Sequence, residues 1–96
     1  MTAYWIAHVT ITDPERYRGY TTLAPKAFEK YGARFLARGG EHEDLEGESF
    51  ERHVLIEFPD LESARACYLS PEYQAAKERR DNACVAQICI VAGIGG

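Results

Sequence analysis

Residues 4–15, YWIAHVTITDPE, decide how this chain is read. The run Tyr4 to Thr12 is rich in β-branched and aromatic residues and holds neither Gly nor Pro, so it predicts a strand. Alternation places Tyr4, Ile6, His8 and Thr10 on one face and Trp5, Ala7, Val9 and Ile11 on the other. Both faces carry apolar groups, which suits a strand in the middle of a sheet. Asp13-Pro14-Glu15 then switches the chain to helix: an N-cap, a proline at the first helical position, and an acid at the positive end of the helix dipole.

Working outward, Tyr17, Tyr20, Ala24, Ala27, Phe28 and Tyr31 recur at three- and four-residue steps and predict a buried helical stripe. Pro25 lacks a backbone donor, so a kink or restart is expected near Leu23-Ala24, and Gly32 is placed to end the helix. Ala33 to about Arg38 predicts a second strand, with Arg34, Leu36 and Arg38 facing away from Phe35 and Ala37. Pairing is expected to resume toward Leu45, before a turn at Glu46-Gly47-Glu48. Phe50–Phe58 predicts a third strand, with Val54, Ile56 and Phe58 opposite His53, Leu55 and Glu57. Asp60 caps a short helix and Ser70-Pro71-Glu72 starts another, on which Tyr73, Ala76 and Arg80 align. Val85–Val91 is a last apolar strand, and residues 92–96 form a tail.

The resulting order, β-α-β-β-α-β, predicts a single α+β domain over residues 1–96: the ferredoxin-like split β-α-β, a four-stranded antiparallel sheet with helices on one face. A chain this short buries only about 60–65% of its unfolded surface. Tyr4, Ile6, Leu36 and Leu55 would stay on the uncovered face, so a homodimer through the sheet face is expected.

A net charge of −4 argues against non-specific nucleic-acid binding, and no apolar run is long enough to span a membrane. Cys67, Cys84 and Cys89 lack C-x-x-C spacing and are read as small buried hydrophobes in a reducing cytoplasm.

The segments DPERY at 13–17, YGARFLARGG at 31–40, LEG at 45–47, VLIEFPDLESA at 54–64 and YLSPEYQAAKERR at 68–80 resemble the bacterial domain-of-unknown-function 1330 family. The resemblance implies the dimeric α+β barrel superfamily. Relatives there include cofactor-independent monooxygenases, lactone isomerases, dye-decolourising and haem-degrading enzymes, and proteins without known chemistry. Ala33 departs from a common second glycine, and Arg79 from a usual aliphatic residue, which leaves open whether Arg79 or Arg80 points inward.

Several residues carry potential chemistry. Arg80 shares a helix face with Tyr73 and needs an anionic partner if it points inward, either Glu57 or a ligand carboxylate. Read as neighbours on first and third strands running parallel, His8 and Glu57 would form a general-base pair or a satisfied polar pair at the dimer face. Tyr20, Arg38, Phe58, Tyr68, Tyr73 and Arg80 are the expected ligand contacts in a pocket between helices and sheet. The expected ligand is a small organic acid or aromatic molecule, with any turnover expected to need no cofactor; the alternative is a non-enzymatic structural or stress-response dimer. The run RGGEHED at 38–44 tempts a metal reading, but His8, His42 and His53 lack metal-ligand spacing. In an extended strand its neighbours would also point to opposite faces, so no metal is expected and Gly39-Gly40 is read as a bulge.

Overall fold

The computed structural model describes residues 1–94; Gly95 and Gly96, the end of the expected tail, lie outside the described residues. The elements are β1 (Ala3–Ile11), α1 (Pro14–Lys30), β2 (Arg34–Arg38), β3 (Arg52–Phe58), α2 (Leu61–Leu69), α3 (Pro71–Arg79) and β4 (Cys84–Ala92). The sheet order is β2-β3-β1-β4 and each neighbouring pair is antiparallel, which is the ferredoxin-like arrangement. No helix of the described residues is long and apolar enough to cross a membrane.

Local chemistry sets the helix ends. The Asp13 carboxylate accepts the Arg16 N–H at 3.1 Å, and the Asp60 carboxylate accepts the Ser63 N–H at 2.7 Å. At the far end of α1 the Gly32 N–H donates to the Glu29 carbonyl and the Ala33 N–H to the Phe28 carbonyl. That pair of bonds is a Schellman closure, and it needs the φ of +74° that Gly32 adopts. Helix α1 runs through Pro25 as one element, so the expected restart does not occur. Packing of the stripe on the sheet outweighs one lost bond.

Ser70 joins α2 to α3. It is 4% exposed, and its hydroxyl donates to the Cys67 carbonyl at 2.7 Å while accepting the Tyr73 N–H at 3.1 Å. Ser70→Ala removes both bonds and is expected to cost about 1–3 kcal/mol in urea denaturation. A loss below about 0.5 kcal/mol, the range of an ordinary surface change, would show that the junction does not depend on this hydroxyl.

Alternation in β1 is strict: Ala3, Trp5, Ala7 and Val9 are buried, and the residues between them only partly so. Trp5 is 1% exposed and sits at the centre of an aromatic cluster. Its ring centroid lies 5.0 Å from both Phe28 and Tyr73 in edge-to-face contacts, and 6.0 Å from the stacked Phe58. The opposite sheet face has no helix against it. There Ile6 lies between Leu55 of β3 and Cys89 of β4, and Tyr4 between Glu57 and Val91.

Three expectations are corrected here. The irregularity in β2 falls between Phe35 and Ala37, not at Gly39-Gly40. Consequently Arg38 pairs with Val54 and shares the helix-side face with Phe35, instead of lying opposite it. Residues 40–49 do not pair as a strand. Of the cysteines, Cys67 is fully buried, and burial pushes its thiol up to about 12, whereas Cys89 is exposed on the bare face.

Candidate functional site

Between α1 and the helix-side face of the sheet is a narrow cleft of about 50 Å³. Its walls are apolar, with Trp5, Val9, Ala24, Phe28, Ile56 and Ile88 among them, yet Arg38, Arg52 and Arg80 also line it. Among the described residues no acidic one does. A cluster of like charges beside apolar walls is costly unless an anion completes it.

Each arginine is brought in by a different local device. Arg80 follows the last turn of α3, whose Tyr73 is fully buried, and helical spacing carries the guanidinium back along that face. One of its nitrogens donates to the Tyr73 hydroxyl at 3.3 Å, and its guanidinium lies 5.2 Å from the Tyr20 ring centroid. Burial works against the Arg80 charge, but the Tyr73 hydroxyl and the neighbouring Tyr20 outweigh it and hold the group above the ordinary arginine value. Arg79 is exposed and lays its alkyl chain beside Gly19 of α1, so Arg80 is the inward residue. Arg38 reaches the cleft because of the β2 irregularity and stacks on Phe35 at 4.1 Å from the ring centroid.

Arg52 enters from the start of β3, two residues before Val54 on the same face. Gly39 makes room for it. A methyl group at Gly39 would sit 2.6 Å from Arg52 Nη1, and Gly39 has a φ of +69° that side chains resist.

The hydroxyls of Tyr20 and Tyr73 lie 3.1 Å apart, so a hydrogen-bond chain runs from Arg80 through Tyr73 to Tyr20. Burial, followed by the Tyr73 hydroxyl, pushes the Tyr20 phenol well above its usual value. Burial also raises Tyr17. Both phenols are therefore neutral donors at physiological pH.

Of the expected ligand contacts, Tyr20, Arg38 and Arg80 line the cleft. Tyr73 stands behind Arg80 as its hydrogen-bond partner, Phe58 is core beneath Trp5, and Tyr68 lies against Trp5 and Tyr73. Tyr17, expected in the buried stripe of α1, also lines the cleft, and Arg52 does so without having been singled out from sequence. The parity that places Val54 and Ile56 inward also places Arg52 inward, so that signal was available.

The expected partnerships of Glu57 fail. Strands β1 and β3 are antiparallel, not parallel, and their register puts Glu57 opposite Tyr4 and His8 opposite His53. His8 and Glu57 are thus four positions apart along the ladder and cannot act as one acid–base pair. Both also project from the bare face, with the sheet between them and Arg80. Glu57 pairs with Arg34 instead, at 3.2 Å. A general base for the cleft is therefore not supplied by His8 or Glu57.

The bare face holds its own cluster. The loop after β2 folds back so that Asp44 lies beside His42 and His53: its carboxylate is 2.9 Å from His53 Nε2 and 3.5 Å from His42 Nε2. His53 Nδ1 is in turn 2.7 Å from His8 Nδ1. The alternation argument against such a gathering fails because these residues belong to a loop, and a loop is free to point neighbours the same way.

The element order and sheet order define the class by fold: a ferredoxin-like α+β protein, an arrangement shared with several solved structures. Over residues 2–94 the sequence matches the family described as domain of unknown function (DUF1330), and the chain belongs to that family. A protein of unknown function from Rhodopseudomonas palustris superposes with a TM-score of 0.77 at 17% identity, covering 99% of this chain and 84% of that one. A dimeric ferredoxin-like protein of unknown function from Jannaschia sp. CCS1 gives 0.70 at 14% identity, covering 97% and 100%. SnoaB, a cofactor-independent oxygenase from Streptomyces nogalater, gives 0.64 at 8% identity, covering 99% and 95%. At such identities the likeness is one of fold. No curated protein matches the sequence.

Proposed function

We propose that this protein is a homodimer that binds a small organic anion with an apolar or aromatic body in the cleft between α1 and the sheet. The observation that carries the reading is the convergence of Arg38, Arg52 and Arg80 on one apolar cleft without an acidic residue in its lining. Arg80 anchors the acid group, with Tyr73 and Tyr20 fixing the guanidinium by the hydroxyl chain. Arg38 forms the mouth, because it is exposed and stacks on Phe35. At about 50 Å³ the cleft accepts an acid group, and Arg38 must swing off Phe35 to admit the rest of a benzoate-sized molecule.

The fold is shared with a cofactor-independent oxygenase, but among the described residues the cleft lining holds no histidine or carboxylate to move a proton. Binding is the function proposed. The small volume favours a second reading, a structural dimer whose cleft is only imperfectly filled core.

A thermal-shift screen of aromatic carboxylates, phenols and quinones separates the two. A ligand at about 100 times its dissociation constant stabilises the folded state by about 2.7 kcal/mol, which is many degrees for a domain of this size. Carboxylates should raise the midpoint and their neutral amides should not. Midpoints that no carboxylate moves, or that the amides move equally, would favour the structural dimer.

The dimer itself is expected to close over the bare face, where Ile6, Leu55, Cys89 and Val91 cluster and Val91 is 46% exposed. Ile6→Asp puts a charge at the centre of that patch and should yield a monomer in sedimentation velocity. A variant that sediments as the wild type does would place the interface elsewhere.

A further inference from the structure

We infer that the histidine cluster on the bare sheet face is a binding site for a divalent transition-metal ion, with His42, Asp44 and His53 as ligands. One ligand atom from each lies within 4.8 Å of the others. Tetrahedral coordination by nitrogen and oxygen at about 2.0–2.2 Å places ligand atoms roughly 3.4 Å apart. Asp44 Oδ1 lies 2.9 Å from His53 Nε2 and Asp44 Oδ2 lies 3.5 Å from His42 Nε2, so the three side chains already stand within reach of a common ion and need only local adjustment to surround it.

The outer partners of both rings suit the tautomer a metal needs. A ligating imidazole offers one nitrogen lone pair and donates its other N–H to an acceptor. Without an ion, His53 Nε2–H donates to Asp44 Oδ1 at 2.9 Å; an ion takes the place of that proton, and Nδ1–H then faces His8 Nδ1 at 2.7 Å, an acceptor when His8 carries its proton on Nε2. In His42, Nε2 faces Asp44 and Nδ1 approaches the Gly40 carbonyl at 3.4 Å. Both Nε2 atoms and the carboxylate then lie within reach of one ion, and His8 acts as a positioning residue behind His53.

The surroundings favour a cation. The hollow over the cluster is about 630 Å³, and Glu43, Glu46 and Glu48 line it along with Asp44, without a lysine or arginine. In the single protomer the ligand side chains are 31%, 22% and 27% exposed for His42, Asp44 and His53, so they are held in place at the rim of the face that the proposed dimer would cover. Two imidazoles and one carboxylate select a first-row transition ion over magnesium or calcium, which prefer all-oxygen ligands. Three protein ligands leave at least one coordination position open to water or a small molecule.

The test is isothermal titration of the untagged, chelator-treated full chain with zinc chloride, with magnesium chloride as the control. One zinc per chain is expected, with magnesium silent. His42→Ala and His53→Ala should each remove stoichiometric binding, and His8→Ala should weaken it by about 10- to 100-fold. Circular dichroism checks that each variant is folded; His42 is in an exposed loop, so its variant is informative even if the strand variants are not. Arg80→Met should leave the zinc isotherm unchanged, since Arg80 lies across the sheet. Absence of stoichiometric zinc binding by the wild type, or its retention in His42→Ala, overturns the assignment.

Discussion

Arg80→Met is expected to weaken binding of an aromatic carboxylate by about 10- to 100-fold while leaving the protein folded. Hydrogen bonds to a charged group contribute about 1.5–3 kcal/mol, and each 1.4 kcal/mol is a factor of ten in affinity. Methionine keeps the bulk of the side chain and its alkyl contacts, so the lost affinity reports the charge. The stability of the unliganded protein should change little, because the contacts of Arg80 with Tyr73 and Tyr20 offset the cost of half-burying its charge. Parallel titration calorimetry and urea denaturation measure the two quantities. Unchanged carboxylate affinity together with raised stability would mean that the guanidinium is only a structural element of the α3–sheet junction.

The largest loss of stability is expected from Trp5→Ala. The indole is 1% exposed and touches Phe28, Phe58, Tyr68 and Tyr73, which come from helices and strands on both sides of the cluster. Truncating a buried tryptophan costs about 3–5 kcal/mol. A domain of this size holds about 5–14 kcal/mol in total, so the variant should sit near its unfolding midpoint at moderate temperature. Because Trp5 is the only tryptophan, the transition must be followed by circular dichroism instead of indole fluorescence. A loss under about 1.5 kcal/mol would show that the surrounding rings collapse into the space. The same residue lines the cleft, so the variant also couples core packing to ligand affinity.

The elements were readable because their signals are local. Asp13, Asp60 and Ser70 cap the helices they were expected to cap, each through a side-chain oxygen only three residues from its donor. Alternation in β1 and β3 placed Trp5, Ile56 and Phe58 in the core, since a strand must put successive side chains on opposite faces. Arg38 was misplaced because the β2 irregularity shifts parity by one residue, and nothing in Phe35-Leu36-Ala37 marks it. The His8–Glu57 pair failed on strand direction: with β3 reversed, the same two faces meet in a different order.

The candidate sites divide along the same line. That Arg80 shares a helix face with Tyr73 followed from spacing alone, since three- and four-residue steps return to one side of a helix. That Arg38 and Arg52 join it, one through a strand irregularity and the other past a glycine, was decided by how β2 and β3 pair. The run Arg38 to Asp44 shows the division most plainly. Its composition suggested an exposed, charged strand bent at its two glycines, because glycines permit sharp bending and charges seek water or each other. Only the tertiary structure brought His42 and Asp44 over His53, ten residues or so further along the chain, because the path of a loop is set by where its ends are held and by the contacts it makes on returning.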